Sequence, residues 1–348
     1  MTVFVVALAT ILVIDLGYRM RFDMRASRAF SEGIQGEYIL KSGLSLGRAL
    51  LELPKLEGIN EDWLGEPWAI VASAPSLPIS GVQGDPRLTI VDEEGKIDLN
   101  WILEQQSQNT GATGQNTFSG FNSSPTTNPT AAATEVPLYW KNTLRNLFED
   151  VGFTREQFDP EQFRTPGNVS YPPADQVAVL QDWIDTDTNS YGNASFNGEG
   201  VESPQSKTLF YNRPLKNLME LAAVPGMTRE RIRLIAPYVR VSPIPSAATQ
   251  RQININTAPY KVLVAIGFPE SQALEIVQQR QNLPYTKEML DTLVEGDVQL
   301  KRFTKVSSTE FSIYCRVVMP NTTKWLHAIV TAQGTQKRKT VVRQLEIS

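Results

Sequence analysis

Three aspartates lie within six residues at the end of a helical pattern: Asp182, Asp185 and Asp187, in "LQDWIDTDTNSYGNASFNGEG". The surrounding residues 165–206 contain six acids and no Lys, Arg or His. Carboxylates gathered in this way repel one another unless a metal ion or bulk water screens their charge. The stretch therefore predicts either a metal site or a solvated acidic loop, and the residue types alone leave both open.

Other kinds of site have few residues from which to be built. The chain has one cysteine, Cys315, and one histidine, His327, so neither an internal disulfide nor a Cys- or His-rich zinc site can form. Asp182 and Asp185 could act as an acid–base pair, but no other pattern builds a pocket around them. The net charge of −4 does not favour a polyanionic partner for the whole molecule. We therefore expect a protein that is not an enzyme.

The N-terminus carries an uninterrupted apolar run, Thr2–Ile14, and no proline follows until Pro54. A membrane-spanning helix uses roughly 20 apolar residues, so this run is short for that purpose. Apolar residues continue to recur at helical spacing beyond it. We predict one long helix over residues 1–53 with its start in a membrane; the alternative is a core helix of a soluble protein. The predicted membrane residues are Val3, Phe4, Val5, Val6, Ala7, Leu8, Ala9, Thr10, Ile11, Leu12, Val13 and Ile14.

Beyond Pro54 the pattern changes three times. "EPWAIVASAP" and "RLTIVDEEGKIDLN" indicate strands, and the turn Glu93–Gly95 inside the second indicates a hairpin. A Ser/Thr/Asn/Gly-rich stretch over 104–136 predicts a disordered loop. Short helical segments then fill residues 137–300, and three alternating segments in 301–348 predict an antiparallel meander.

This order of elements predicts an α+β fold. Residues 54–103 and 301–348 supply the strands of one domain, and 137–300 form an all-helical domain inserted between them.

Two segments of the helical block share a helix–turn–helix scheme, Leu218–Val239 and Asn254–Arg280. Both resemble helix-hairpin-helix units, whose turns can offer backbone N–H groups to a DNA phosphate. In the second unit Pro269 removes a donor and Glu270 adds a repelling charge, and such units also serve only for packing. The sequence therefore does not favour nucleic acid as a partner, although the first unit is locally basic through Arg229, Arg231, Arg233 and Arg240.

Taken together, five pieces of this chain resemble the K-type minor pseudopilin of bacterial type II secretion (general secretion pathway protein K). They are "VVALATILVI", "VDEEGKIDLN", "LQDWIDTDTN", "ELAAVPGMTRERI" and "ININTAP", and they occur in that family's order. The resemblance implies a pilin-like fold, a long N-terminal helix plus an antiparallel sheet, with a large helical insertion that carries SAM-like or hairpin-like units.

For function, the resemblance implies a subunit at the tip of a short periplasmic pseudopilus. Its partners would be the I-type and J-type minor pseudopilins, other pseudopilins and inner-membrane secretion components. Assembly of that tip would start pseudopilus growth for export of folded proteins across the outer membrane. The chain would cross the bacterial inner membrane once, with its bulk in the periplasm. The alternatives are a minor pilin of a type IV pilus, or a DNA-uptake module that uses the hairpin-like units.

One departure concerns the N-terminus. Precursors of this family carry a short basic leader that the prepilin peptidase removes, and the sequence shows none, so no cleavage site is assigned.

Finally, the resemblance implies calcium in the helical insertion. Ca²⁺ takes six to eight oxygen ligands, and Asp185-x-Asp187-x-Asn189 has the spacing that begins an EF-hand loop. Ser190 and Phe196 replace the Gly and Glu that an EF-hand needs, so the site would be of another kind. Asp182 lies one helical turn earlier. The predicted ligands are Asp182, Asp185, Asp187, Asn189, Glu199 and Glu202.

Overall fold

The computed structural model describes residues 2–55, 58–73, 84–103, 129–153, 170–203, 210–242, 250–334 and 338–348. In chain order its helices are α1 (Thr2–Leu51), α2 (Pro67–Ile70), α3 (Pro129–Asp150), α4 (Pro173–Ile184), α5 (Arg229–Ile235), α6 (Tyr260–Ala265), α7 (Glu270–Gln279), α8 (Lys287–Leu293) and α9 (Val298–Phe303). The strands are β1 (Asp85–Asp92), β2 (Ile97–Asp98), β3 (Val239–Arg240), β4 (Ile253–Asn254), β5 (Thr304–Lys305), β6 (Glu310–Val318), β7 (Thr323–Gln333) and β8 (Lys339–Ile347).

The chain forms two compact units. The first contains residues 1–93 and 307–348, and the second contains residues 94–306. The second unit is therefore an insertion into the first, between β1 and β6.

The first unit is a four-stranded antiparallel sheet in the order β1-β6-β7-β8, with α1 packed on one face. The predicted C-terminal meander is confirmed, because β6, β7 and β8 pair in sequence. Their period-2 alternation puts Phe311, Ile313 and Cys315 into the core under α1. Small residues let the helix approach closely: a Cβ at Gly43 would lie 2.9 Å from the Cys315 Sγ.

The predicted hairpin at Glu93–Gly95 is wrong. β1 pairs antiparallel with β6, whereas β2 pairs parallel with β3 in the second unit. The chain leaves the sheet at Asp92, whose carboxylate accepts a hydrogen bond from the Ser308 hydroxyl, 2.6 Å. Residues 93–95 form a 3₁₀ turn that leads into the other unit rather than back along β1.

The strand predicted in "EPWAIVASAP" is also wrong. Residues 67–70 are the helix α2, and Val71–Ser73 form a 3₁₀ turn after it. Pro67 occupies the first helical turn, where its missing N–H costs nothing. Trp68 is buried edge-on against Phe311 of the sheet, with ring centroids 5.2 Å apart. Burial of this indole outweighs the β propensity of the flanking residues.

The second unit contains most of the helices, but it is not all-helical as predicted. Two short parallel pairs, β2–β3 and β4–β5, join segments that are far apart in sequence. Its core includes Trp101, Trp140 and Phe303, with the two indole centroids 4.3 Å apart.

The boundaries of this unit also differ from those predicted. Residues 94–103, assigned from sequence to the sheet domain, belong to the helical unit. α3 begins at Pro129, so the last part of the predicted disordered loop is helical. The remainder of that loop, residues 104–128, lies outside the described residues.

Candidate metal centre and membrane stem

The acidic stretch begins inside α4. This helix starts at Pro173, and all nine residues from Gln176 to Ile184 are buried, so other elements surround it. The chain then turns out at Asp185, which is extended, and returns through an antiparallel bridge between Gly192 and Glu199. The return brings residues 199–202 back alongside the end of α4.

Asp182 holds this returning loop in place. Its side chain is fully buried, and its Oδ1 accepts a hydrogen bond from the Tyr191 N–H at 2.6 Å. Its Oδ2 accepts from the N–H groups of Val201 at 2.6 Å and Glu202 at 2.8 Å. Desolvation by burial raises the pKa of Asp182, while these three bonds favour the charged form. Asp182 therefore fixes the backbone of the returning loop through these hydrogen bonds.

Three further carboxylates converge at the end of the helix. Asp185, Asp187 and Glu202 each place an oxygen within 4.8 Å of the others. Two ligands of one Ca²⁺, each about 2.3–2.6 Å from the ion, lie at most about 5 Å apart. The spacing of the three oxygens therefore fits a single bound cation.

Four side chains in or next to this cluster carry a buried oxygen without a hydrogen-bond donor in the described part of the chain. Asp185 Oδ1, Glu202 Oε2, Gln181 Oε1 and Asn212 Oδ1 are all buried and accept no hydrogen bond from the described residues. Glu202 is 3% exposed and Gln181 is also 3% exposed. Buried acceptors without partners are costly, and a cation satisfies several at once. An all-oxygen set of carboxylates and amides suits a hard cation such as Ca²⁺.

Electrostatics agree with this geometry. Burial, together with the charge of Asp187, raises the pKa of Asp185 to about 7. Burial is also the main cause that raises the pKa of Glu202, and the neighbouring carboxylates add to it. Without a cation, burial and mutual repulsion therefore disfavour the ionised form of these carboxyl groups.

The structure thus brings together three of the six predicted ligands. Asp182 lies beside them but has both oxygens on backbone N–H groups. Asn189 is exposed, and its backbone N–H donates to Asp187 Oδ1 at 2.8 Å. Glu199 is exposed, and the structure does not bring its carboxylate into the group.

Sequence reasoning missed two amides, Gln181 and Asn212. Gln181 donates to Asp185 Oδ2 at 3.2 Å, and its place four residues before Asp185 on α4 was the signal available. Asn212 comes from a separate segment, ten residues after Glu202, and no spacing in the sequence pointed to it.

Several polar groups of the two hairpin-like units are used internally, although Arg229 and Arg233 are exposed. In the first, Arg231 is fully buried, and Arg240 is 7% exposed and lies 3.7 Å from Asp98. In the second, the N–H groups of Gly267 and Phe268 donate to carbonyls of α6. Buried arginines and occupied turn N–H groups serve packing rather than a phosphate backbone.

The N-terminal part of α1 is long and apolar enough to cross a membrane, and its apolar window is fully exposed. This finding fits a single membrane anchor that includes the predicted residues 3–14.

Comparison with known proteins found a family model and a solved structure to which this chain is similar. Residues 95–244 match the model of the family described as type II secretion system (T2SS), protein K. Among solved structures, a chain in the GspK-GspI-GspJ complex of the enterotoxigenic Escherichia coli type 2 secretion system has a similar fold. The similarity has a TM-score of 0.58 at 20% identity and covers 92% of this chain and 99% of that one. None of the curated proteins matches. The family match covers less than half of the chain, and the similarity to the solved structure shows a shared fold.

Proposed function

We propose that this chain sits at the tip of the type II secretion pseudopilus, bound to I-type and J-type minor pseudopilins. The observation that carries this proposal is the similarity, along 92% of the chain, to a chain of the GspK-GspI-GspJ complex. In this role the chain performs no catalysis; it starts assembly of the pseudopilus that moves folded proteins across the outer membrane.

The N-terminal helix anchors the chain in the membrane. The exposed apolar start of α1 inserts into the inner membrane, and the remainder of the chain lies in the periplasm. Beyond the membrane, α1 still exposes Phe22, Phe30 and Tyr38, which offer apolar surface to the stems of partner subunits.

The insertion between β1 and β6 supports the proposed tip position. The second unit contributes residues 94–306, more than half of the chain. A pilin-like subunit with this added bulk sterically opposes the stacking of another subunit beyond it, so the chain ends the fibre rather than continuing it.

The carboxylate cluster of this subunit binds Ca²⁺ in a structural role. Asp185, Asp187 and Glu202 hold the ion, which satisfies buried oxygens and fastens the loop 185–202 to the end of α4. Because the ion binds the folded chain, it stabilises that state by mass action.

Assembly is tested with the full-length chain in detergent. It is mixed with the I-type and J-type pseudopilins of the same genome in calcium, and the mass is measured by light scattering on a chromatography column. A stable one-to-one-to-one complex is expected. Three separate peaks, each from a folded protein, would contradict the tip assignment and favour a type IV pilus subunit.

The calcium site is tested by thermal melting of the same chain in calcium and in a chelator. A higher melting temperature in calcium is expected, and this difference should vanish when Asp185 and Asp187 are both replaced by Ala. Identical melting of the wild type under the two conditions would contradict the site without affecting the assembly result.

A further inference from the structure

Asn212 links two parts of the carboxylate cluster through its side-chain amide. Its Nδ2 donates to the carbonyl oxygen of Asp187 at 2.6 Å and to Glu202 Oε1 at 2.9 Å. The backbone of Asn212 is left-handed, with φ +47°, a conformation that Asn tolerates better than most residues. The amide of this residue therefore contacts both Asp187 and Glu202.

The two halves of the amide are used unequally. Both bonds of Asn212 come from its nitrogen, whereas its Oδ1 is buried and accepts no hydrogen bond from any described residue. The nitrogen carries partial positive charge towards a carboxylate and a carbonyl, both of which are oxygen acceptors. In this arrangement the NH₂ group occupies the role that a cation would have.

We propose that Asn212 is a further ligand of the calcium site and that its amide reverses when the ion binds. Rotation about its Cβ–Cγ bond exchanges Nδ2 for Oδ1, so that the amide offers an oxygen to the ion instead of a donor to Glu202. Amide oxygens are ordinary Ca²⁺ ligands, and the rotation releases the Glu202 carboxylate for the ion as well. This inference rests on the calcium site proposed above.

The reversal of this amide would couple ion binding to the order of residues 210–213. Trp183, at the end of α4, packs against Phe210 and Tyr211, with ring centroids 5.7 and 4.8 Å apart. On the other side of Asn212, Arg213 pairs with Glu220 at 3.1 Å. An ion bound to Asn212 therefore fixes residues 210–213 to the loop 185–202, and through Arg213 it reaches the first hairpin-like unit.

The test uses two substitutions with the same backbone effect. Asn197 lies in the loop 185–202, is exposed, and is also left-handed, with φ +56°. Asn212→Gly and Asn197→Gly both relieve the positive φ, but only the first removes an amide from the cluster. Calcium affinity is measured by titration calorimetry on the full-length chain in detergent, with calcium chloride as the probe.

We expect Asn212→Gly to raise the Kd for calcium by about tenfold or more and Asn197→Gly to leave it unchanged. Protection of residues 210–220 from hydrogen exchange should rise with calcium in the wild type and in Asn197→Gly, and not in Asn212→Gly. An unchanged Kd in Asn212→Gly, with melting lowered equally in calcium and in chelator, would overturn the proposal and leave Asn212 a structural residue.

A second variant covers the case in which Asn212→Gly fails to fold. Asn212→Asp adds a carboxylate to the cluster, so it should melt below the wild type in chelator and at or above it in calcium. A melting difference between calcium and chelator no larger than that of the wild type would overturn the proposal. If the wild type itself binds no calcium, the calcium site falls together with this inference, while the assembly proposal stands.

Discussion

The carboxylate of Asp182 accepts a hydrogen bond from the backbone N–H of Val201, 19 residues further along the chain, at 2.6 Å. The neighbouring N–H of Glu202 donates to the same oxygen at 2.8 Å. These bonds set the position of the Glu202 backbone and hence bring its side chain beside Asp185. A buried charge at the end of α4 thus arranges the cluster without belonging to it.

Replacing Asp182 by Asn should therefore unfold the loop rather than only weaken the site. The NH₂ group of Asn faces backbone N–H donors, so one carboxylate oxygen that accepted them is lost together with the negative charge. We expect the free energy of unfolding to fall by about 2–4 kcal/mol. Denaturant unfolding in chelator measures this loss. Asp175→Asn is the matched control, because among the described residues Asp175 accepts one N–H bond, from Glu199, near the surface. Equal stability of the two variants would contradict this role for Asp182.

Gly200 is the second residue on which this arrangement depends. A Cβ at this position would overlap the carboxylate oxygens of Asp182, whereas a Cβ at Gly192 meets nothing within 4 Å. Gly200→Ala should lower the free energy of unfolding by about 1–3 kcal/mol. Gly192→Ala, on the facing side of the same loop, should change it by about 0.5 kcal/mol or less. A comparable fall in the free energy of unfolding in both variants would contradict this prediction. It would mean that the loop can move and that Gly200 need not approach the Asp182 carboxylate so closely.

The part of the site that sequence could predict is the part set by local spacing. Asp185 and Asp187 follow the end of a helix that was itself predicted, and Glu202 stands out as an acid in a stretch without cations. The EF-hand spacing also pointed to Asn189, which is exposed, its backbone N–H held by Asp187. Asn212 was missed because it lies in a separate segment, whose neighbouring Tyr211 packs against Trp183, and no local pattern encodes that contact.

In the fold, too, local patterns could be predicted and contacts distant in sequence could not. The meander β6–β8 was predicted because each strand alternates and pairs with its neighbour in sequence. The hairpin at Glu93–Gly95 was wrong because the true partner of Ile97 is Val239, 142 residues later. Local turn residues cannot reveal such a pairing.

Stability should depend on pH through the cluster. The pKa of Asp185 is raised from 3.8 to about 7, so the folded chain binds this proton more tightly than the unfolded chain does. Without calcium, stability is therefore lost as the pH rises from about 4 through 7. Calcium needs the ionised carboxylates, so the rise in melting temperature on adding calcium should be larger at pH 8 than at pH 5.

Asp185→Asn serves as the control for this pH dependence. Without the titrating carboxyl, melting in chelator should vary less between pH 5 and pH 8 than it does in the wild type. A calcium effect of the same size at both values of pH in the wild type would contradict the assignment of the raised pKa to the ion-binding group.

Arg231 separates a packing role from DNA binding in the first hairpin-like unit. Its buried guanidinium donates to the Gln176 side chain at 2.9 Å, to the Gly226 carbonyl at 3.2 Å and to the Tyr171 carbonyl at 2.9 Å. Arg231→Leu leaves these acceptors unsatisfied, so it should lower the free energy of unfolding by about 3 kcal/mol or more. Denaturant unfolding checks this value.

Arg233→Ala is the matched control, since Arg233 is exposed on the same helix, and its stability should stay within about 0.5 kcal/mol of the wild type. Binding to duplex DNA is measured on both variants and the wild type over a range of salt concentrations. We expect no salt-dependent binding, because the buried arginine cannot reach a phosphate. Binding by the wild type that Arg233→Ala abolishes while its melting is unchanged would contradict the packing role and support a DNA-uptake module.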